Sequence, residues 1–136
     1  MKSGAFLFHF ICVYFIPLTM LVMGLKYRQS PPRYPGGSAV ALSGYRSHMS
    51  MLSEDTWKTA HSCIGLLWAI LGVVLLVFTY LCRHWMLVQN NFGFASLLLV
   101  FLQFIIMCVP PFLITEIRLR LLFDENGERK PAGPSS

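Results

Sequence analysis

Three long apolar stretches set the pattern of this chain, and the polar segments between them differ sharply in character. Positions 5–25, 60–82 and 94–115 carry no Lys, Arg, Asp or Glu. At a rise of about 1.5 Å per residue, some twenty apolar residues match a hydrocarbon layer about 30 Å thick. Backbone amides in lipid must be satisfied within the segment itself, so the pattern predicts three transmembrane helices. The fold class is therefore all-α integral membrane, one domain over 1–136, with a structured loop (26–59) expected between the first two spans and a polar tail (124–136). Lys2 precedes the first stretch as in a secretory signal. The apolar run is too long for a signal core, however, and no small-x-small site lies before Lys26, so it is read as a span.

Local punctuation refines these elements. Pro17 sits inside the first span and is expected to kink it, and Pro110-Pro111 are expected to do the same near the end of the third. Prolines and paired glycines over 30–38 predict an irregular exit from the first helix, with the mildly apolar 39–42 lying against headgroups. Ser53 followed by Glu54 and Asp55 predicts the start of the second helix, which enters lipid near Ala60. Trp57 then falls at interfacial depth, where amphipathic rings are favoured. Ser62, Gly65, Ala69 and Gly72 share one face of this helix and predict a close approach by a helix from another copy, hence a homo-oligomer. A short turn is expected from Arg83 to Asn91, and Gln103 is expected to hydrogen-bond across helices. From Asp124 onward the polar composition predicts no fixed structure.

Charge adds orientation. With 55% hydrophobic and 12% charged residues, a net charge of +5 invites nucleic acid only if its placement is ignored. Nine of the eleven Lys and Arg residues lie in the first loop or the tail; only Lys2 and Arg83 lie on the other side. The positive-inside rule places the N-terminus outside and both basic regions in the cytoplasm, against anionic headgroups. The partner implied is the bilayer, not nucleic acid.

Catalytic and metal chemistry find little support. Cys12, Cys63, Cys82 and Cys108 lie in or at the ends of spans with neither disulfide nor metal-ligand spacing. His61 with Cys63, and Cys82 with His84, sit at opposite ends of one helix about 30 Å apart and cannot share an ion. No cofactor is expected. The spans hold no carboxylate, and the membrane-adjacent acids are Glu54, Asp55 and Glu116, so an enzyme is not expected.

The first loop is the informative segment. Gly44 is suited to a turn that other residues resist. Arg46 offers a fork of donors for a carboxylate or a lipid phosphate. Trp57 and His61 share a helix face, and Glu116 emerges at the same end of the bundle. Arg46 is expected to pair with an acid, Glu116 first, then Glu54 or Asp55. Two readings stand open: the loop simply folds onto headgroups, or it forms a surface presenting Tyr45, Arg46 and Trp57 to a partner.

The run Gly44-Tyr45-Arg46-Ser47, then Ser50-Met51, then Trp57 and Ala60-His61 resembles the signature of the SdpI family, bacterial membrane proteins that protect producers of a sporulation-delaying toxin. The resemblance implies a bacterial cytoplasmic membrane protein giving immunity to a membrane-active peptide, or acting in envelope signalling. A peptide toxin or a cytoplasmic regulator would be its partner, and Gly44, Tyr45, Arg46, Ser47, Ser50, Met51, Trp57 and His61 its site, to which the pairing expected for Arg46 adds Glu116. The family's namesake has more spans than this chain. Two other classes are an accessory subunit of a membrane transport or secretion complex, and a protein acting on headgroups through Arg46 and His61.

Overall fold

The computed structural model describes residues 3–35, 44–89 and 93–131. Three helices make up most of it: α1 (Ser3–Gln29), α2 (Glu54–Gln89) and α3 (Gly93–Leu122). Each is long and apolar enough to cross a membrane, yet only 22%, 28% and 17% of their most apolar windows are buried within the protein. Phe15, Val22, Val73, Val77, Leu97 and Phe101 are among the side chains facing outward. An apolar surface of this extent fits hydrocarbon rather than water. The chain is a multi-pass membrane protein. The stretch 39–42, Asn90 and Asn91, and the tail beyond 131 lie outside the described residues.

Glycines bring α1 and α2 together. A methyl group on Gly65 would lie 2.8 Å from the Gly24 carbonyl and 2.9 Å from the Arg28 nitrogen, and one on Gly72 would lie 2.8 Å from the Leu21 nitrogen. Backbone therefore meets backbone, the arrangement that small residues permit in lipid. This is the face assigned to a second copy by the sequence; it is instead occupied by α1 of the same chain. Gly24 supplies the complementary notch, since a methyl there would meet the Ala69 nitrogen at 2.5 Å.

Two helix-interior prolines are compensated by side chains from neighbouring helices. Pro17 cannot donate to the carbonyl four residues earlier, that of Val13. Gln103 of α3 donates to that carbonyl at 3.1 Å and to Thr79 Oγ1 of α2 at 2.6 Å, tying all three helices together. Pro111 likewise leaves the Met107 carbonyl without its donor, and Trp68 Nε1 of α2 reaches it at 3.0 Å. α3 runs helical through Pro110 and Pro111 to Leu122. Replacing Gln103 by leucine should cost about 1 kcal/mol, in the range of hydrogen bonds measured between membrane helices. In a Pro17→Ala background the penalty should shrink, because residue 17 regains its own donor. Denaturation of the four-member mutant cycle in detergent tests this, and strict additivity would refute it.

Two sequence expectations are revised at the helix ends. Arg83, His84 and Trp85 are helical, since α2 meets no breaker before Asn90. The tail folds as far as Pro131: Phe123 and Arg129 pair as an antiparallel bridge around a turn in which Asp124 Oδ1 accepts from the Asn126 and Glu128 nitrogens. Arg129 then grips Asp55 with Nε and Nη2 at 2.6 and 3.0 Å, and Ser53 Oγ donates to the Gly127 carbonyl at 2.9 Å. Polar composition gave no sign of this, because the contacts come from residues some seventy positions away. The tail thus clasps the start of α2 to the end of α3.

Candidate functional site

Ser53 caps α2 as expected. Its Oγ accepts from the Thr56 nitrogen at 3.2 Å while Thr56 Oγ1 accepts from the Ser53 nitrogen at 2.9 Å, a reciprocal box closed by a threonine. Just upstream, Met49–Met51 forms one 3₁₀ turn. Ser47 and Ser50 lock it reciprocally, with Ser47 N–H to Ser50 Oγ at 2.8 Å and Ser50 N–H to Ser47 Oγ at 3.1 Å. Short hydroxyl side chains thereby take backbone donors that an isolated turn would leave to water. Met49 inserts below with Ala60, Leu119 and Phe123, and Tyr45 and Leu52 pack against that cluster.

His61 lies at the centre, fully buried. The Tyr45 N–H donates to its Nε2 at 2.9 Å, so Nε2 is the acceptor and the ring proton resides on Nδ1, which donates to the Trp57 carbonyl at 2.8 Å. The imidazole is held neutral in one tautomer; a second ring proton would set donor against donor at Tyr45. Both nitrogens are occupied, which removes His61 from the headgroup chemistry considered for it. Around the ring stand Trp57 at 4.2 Å and Tyr27 at 5.3 Å between centroids, and Tyr27 in turn stacks on Trp68 at 5.8 Å.

Gly44 seals this cage. Its φ of 118° lies in the region that favours glycine, and a methyl group there would stand 2.6 Å from His61 Nε2 and 3.2 Å from the Trp57 ring. Trp57 is turned into the protein and not outward to lipid or a partner. It is fully buried, with Nε1 donating to the Pro32 carbonyl at 2.6 Å and the Tyr34 ring edge-on at 6.0 Å. Tyr34 in turn donates its hydroxyl to the Met51 carbonyl at 3.0 Å. The prolines after α1 therefore fold back over the loop, and one Met51 backbone atom anchors them.

Arg46 does not pair with Glu116. Burial alternates along Tyr45, Arg46 and Ser47, so with Tyr45 turned inward Arg46 points out. Tyr45 packs on Phe112 at 5.7 Å and donates its hydroxyl to Glu116 Oε2 at 3.3 Å. Burial above all pushes this phenol up to about 12, with the Glu116 carboxylate adding to the effect, so it remains the donor. The other two acids are also engaged, Glu54 by Lys58 at 2.7 Å and Asp55 by Arg129. Among the described residues Arg46 therefore has no acid partner, and it stands exposed on the hydrogen-bonded loop beside exposed His48.

The structure thus brings Gly44, Tyr45, Ser47, Ser50, Met51, Trp57, His61 and Glu116 into one continuous assembly and leaves Arg46 outside it. Tyr27, Pro32 and Tyr34 complete the cage and were not singled out by sequence. Their only signal was aromatic residues flanking a proline pair in an otherwise polar exit. Among the described residues no group of three His, Cys, Asp or Glu side chains could hold a metal ion.

A family model described as the SdpI/YfhL protein family matches residues 41–113, more than half of the chain. Curated proteins and solved structures yield no match.

Proposed function

Since this chain belongs to the SdpI/YfhL protein family, we propose that it gives immunity to a membrane-active peptide toxin, with Arg46 as the contact residue of a preformed loop. One observation carries the reading: the matched segment, 41–113, contains the whole of the caged loop from Gly44 to His61, and Arg46 is the signature side chain that the cage holds outward, without an acid partner among the described residues. A guanidinium so placed meets a carboxylate or phosphate without losing an internal ion pair. Tyr45, Ser50, Trp57 and His61 act by holding that loop in shape.

In this proposal the N-terminus is outside and the loop and folded tail face the cytoplasm, as the distribution of Lys and Arg favours. A toxin that disorders the bilayer would be met at its inner surface. Toxin challenge of bacteria expressing wild type or Arg46→Ala, at matched membrane levels, tests the role of Arg46. Survival should fall to that of cells without the protein, while the variant accumulates normally because an exposed side chain without an acid partner contributes little to folding. Equal survival removes Arg46 from the mechanism, and no protection by either form removes the immunity reading. For topology, His48→Cys should resist a membrane-impermeant thiol reagent in intact cells and react after lysis. Labelling in intact cells would invert the orientation.

A further inference from the structure

On the flank of the bundle away from the cage, α1, α2 and α3 enclose a groove of about 430 Å³ whose lining includes Arg28, Lys58, Ser62, Leu66, Arg118 and Leu122. We propose that this groove binds an anionic phospholipid, with the phosphate between Arg28 and Arg118 and an acyl chain along Leu66. The inference rests on the membrane fold and stands apart from the toxin reading.

Charge is the first argument. All three helices contribute a cation to a single cleft, and among the described residues neither Arg28 nor Arg118 has an acid within ion-pair distance. Lys58 is held by Glu54, leaving that pair neutral and exposed at 62% and 63%. At the outer mouth Arg129 is neutralised by Asp55. An anion is therefore drawn past the mouth, where a carboxylate would repel it, to the two uncompensated guanidinia. Their planar forks suit phosphate oxygens, and Ser62 on the same wall adds a hydroxyl.

Depth is the second argument, and it selects a lipid over a soluble anion. The Arg28 backbone packs against Gly65, seven residues along α2 from Lys58. That places Arg28 about 10 Å further toward the bilayer centre than Lys58. Arg28 thus stands beside the apolar stretch that begins at Ala60, and its long stem can lift the guanidinium to headgroup level. Leu66, next to Gly65 in the chain, lines the groove at this depth. A free phosphate gains nothing from an apolar lining, whereas a phospholipid places its glycerol and first methylenes there. Basic pockets between membrane helices hold anionic headgroups in this way.

The test is thermal unfolding of the full chain in a neutral detergent, titrated with phosphatidylglycerol, phosphatidylcholine or inorganic phosphate. Phosphatidylglycerol should raise the melting temperature saturably, and the other two should not. The double variant Arg28→Gln, Arg118→Gln should bind phosphatidylglycerol about thirtyfold more weakly, at about fivefold for each arginine. Lys26→Gln with Arg33→Gln removes the same charge outside the groove and should leave binding unchanged. If the double variant does not fold, each single variant should still lose about fivefold. The proposal is overturned if phosphatidylcholine stabilises equally, if the groove variants bind as wild type does, or if both pairs weaken binding alike. Stabilisation by inorganic phosphate at matched concentration would overturn the lipid assignment and leave a soluble-anion site.

Discussion

A methyl group at position 65 is expected to destabilise this protein, and a leucine there to prevent its folding. The added Cβ of Gly65→Ala would stand 2.8 Å from the Gly24 oxygen, 2.9 Å from the Arg28 nitrogen and 3.2 Å from the Tyr27 Cβ. Two of those neighbours are backbone and cannot rotate aside, so α1 and α2 must separate. Alanine would gain up to about 1 kcal/mol in helix propensity. Overpacking of this kind costs about 1–3 kcal/mol, and separation also breaks the dispersion contacts that hold helices together where no hydrophobic effect operates. The expected net loss is about 1–2 kcal/mol for alanine, a fall in melting temperature of roughly 5 °C for a chain of this size. Gly65→Leu should yield no monodisperse protein. Gly93→Ala is the control, because a methyl there meets nothing within 4 Å. An alanine at 65 that melts at or above wild type would show that the α1–α2 interface is not built on backbone contact.

The second large effect concerns Trp57. Its fully buried ring touches His61 and Tyr34, and its Nε1 holds the Pro32 carbonyl at 2.6 Å. Trp57→Ala opens a cavity at a cost of about 3–5 kcal/mol. It also leaves the Pro32 carbonyl to find water, a further loss of about 1 kcal/mol. The helices are packed elsewhere by Gln103, Trp68 and the glycine face, so the damage should be local. The segment 44–53 is expected to come loose while the bundle persists. Hydrogen exchange reads this at the Tyr45 amide, which is bonded to His61 Nε2 and should lose protection in Trp57→Ala. Trp57→Phe retains most of the ring and should lose only the hydrogen-bond share, about 1 kcal/mol. Arg46→Ala should leave Tyr45 exchange unchanged. If Trp57→Ala also leaves it unchanged, Trp57 is not the support of the loop.

Legibility from the sequence followed the range of the interactions. The helix cap at Ser53 was visible because its partner, Thr56, is three residues away. Gly44 and the Trp57–His61 pair were visible because rare residue types sat at fixed spacing. Gln103 was rightly taken as an inter-helix donor, but its acceptor was not legible; naming the Val13 carbonyl requires knowing which turn of α1 faces α3. Arg46 misled for a related reason. Its chemistry suits Glu116, yet the neighbouring Tyr45 points inward and takes that carboxylate. Side-chain type says what a residue can bind; backbone direction decides what it meets.

By itself the sequence determined that this chain has three segments long and apolar enough to cross a bilayer, because apolar length and the absence of charge are properties of each segment alone. It also singled out the loop that the structure closes into a cage, through a signature confined to eighteen consecutive residues, 44–61. The tertiary structure decided how those pieces are used: α1 rather than a second copy fills the glycine face, the tail clasps Asp55, and Trp57 becomes the inside of a cage. Each of these outcomes depends on pairing groups distant in the chain, where many partners have suitable chemistry and only the packed arrangement of the helices selects among them.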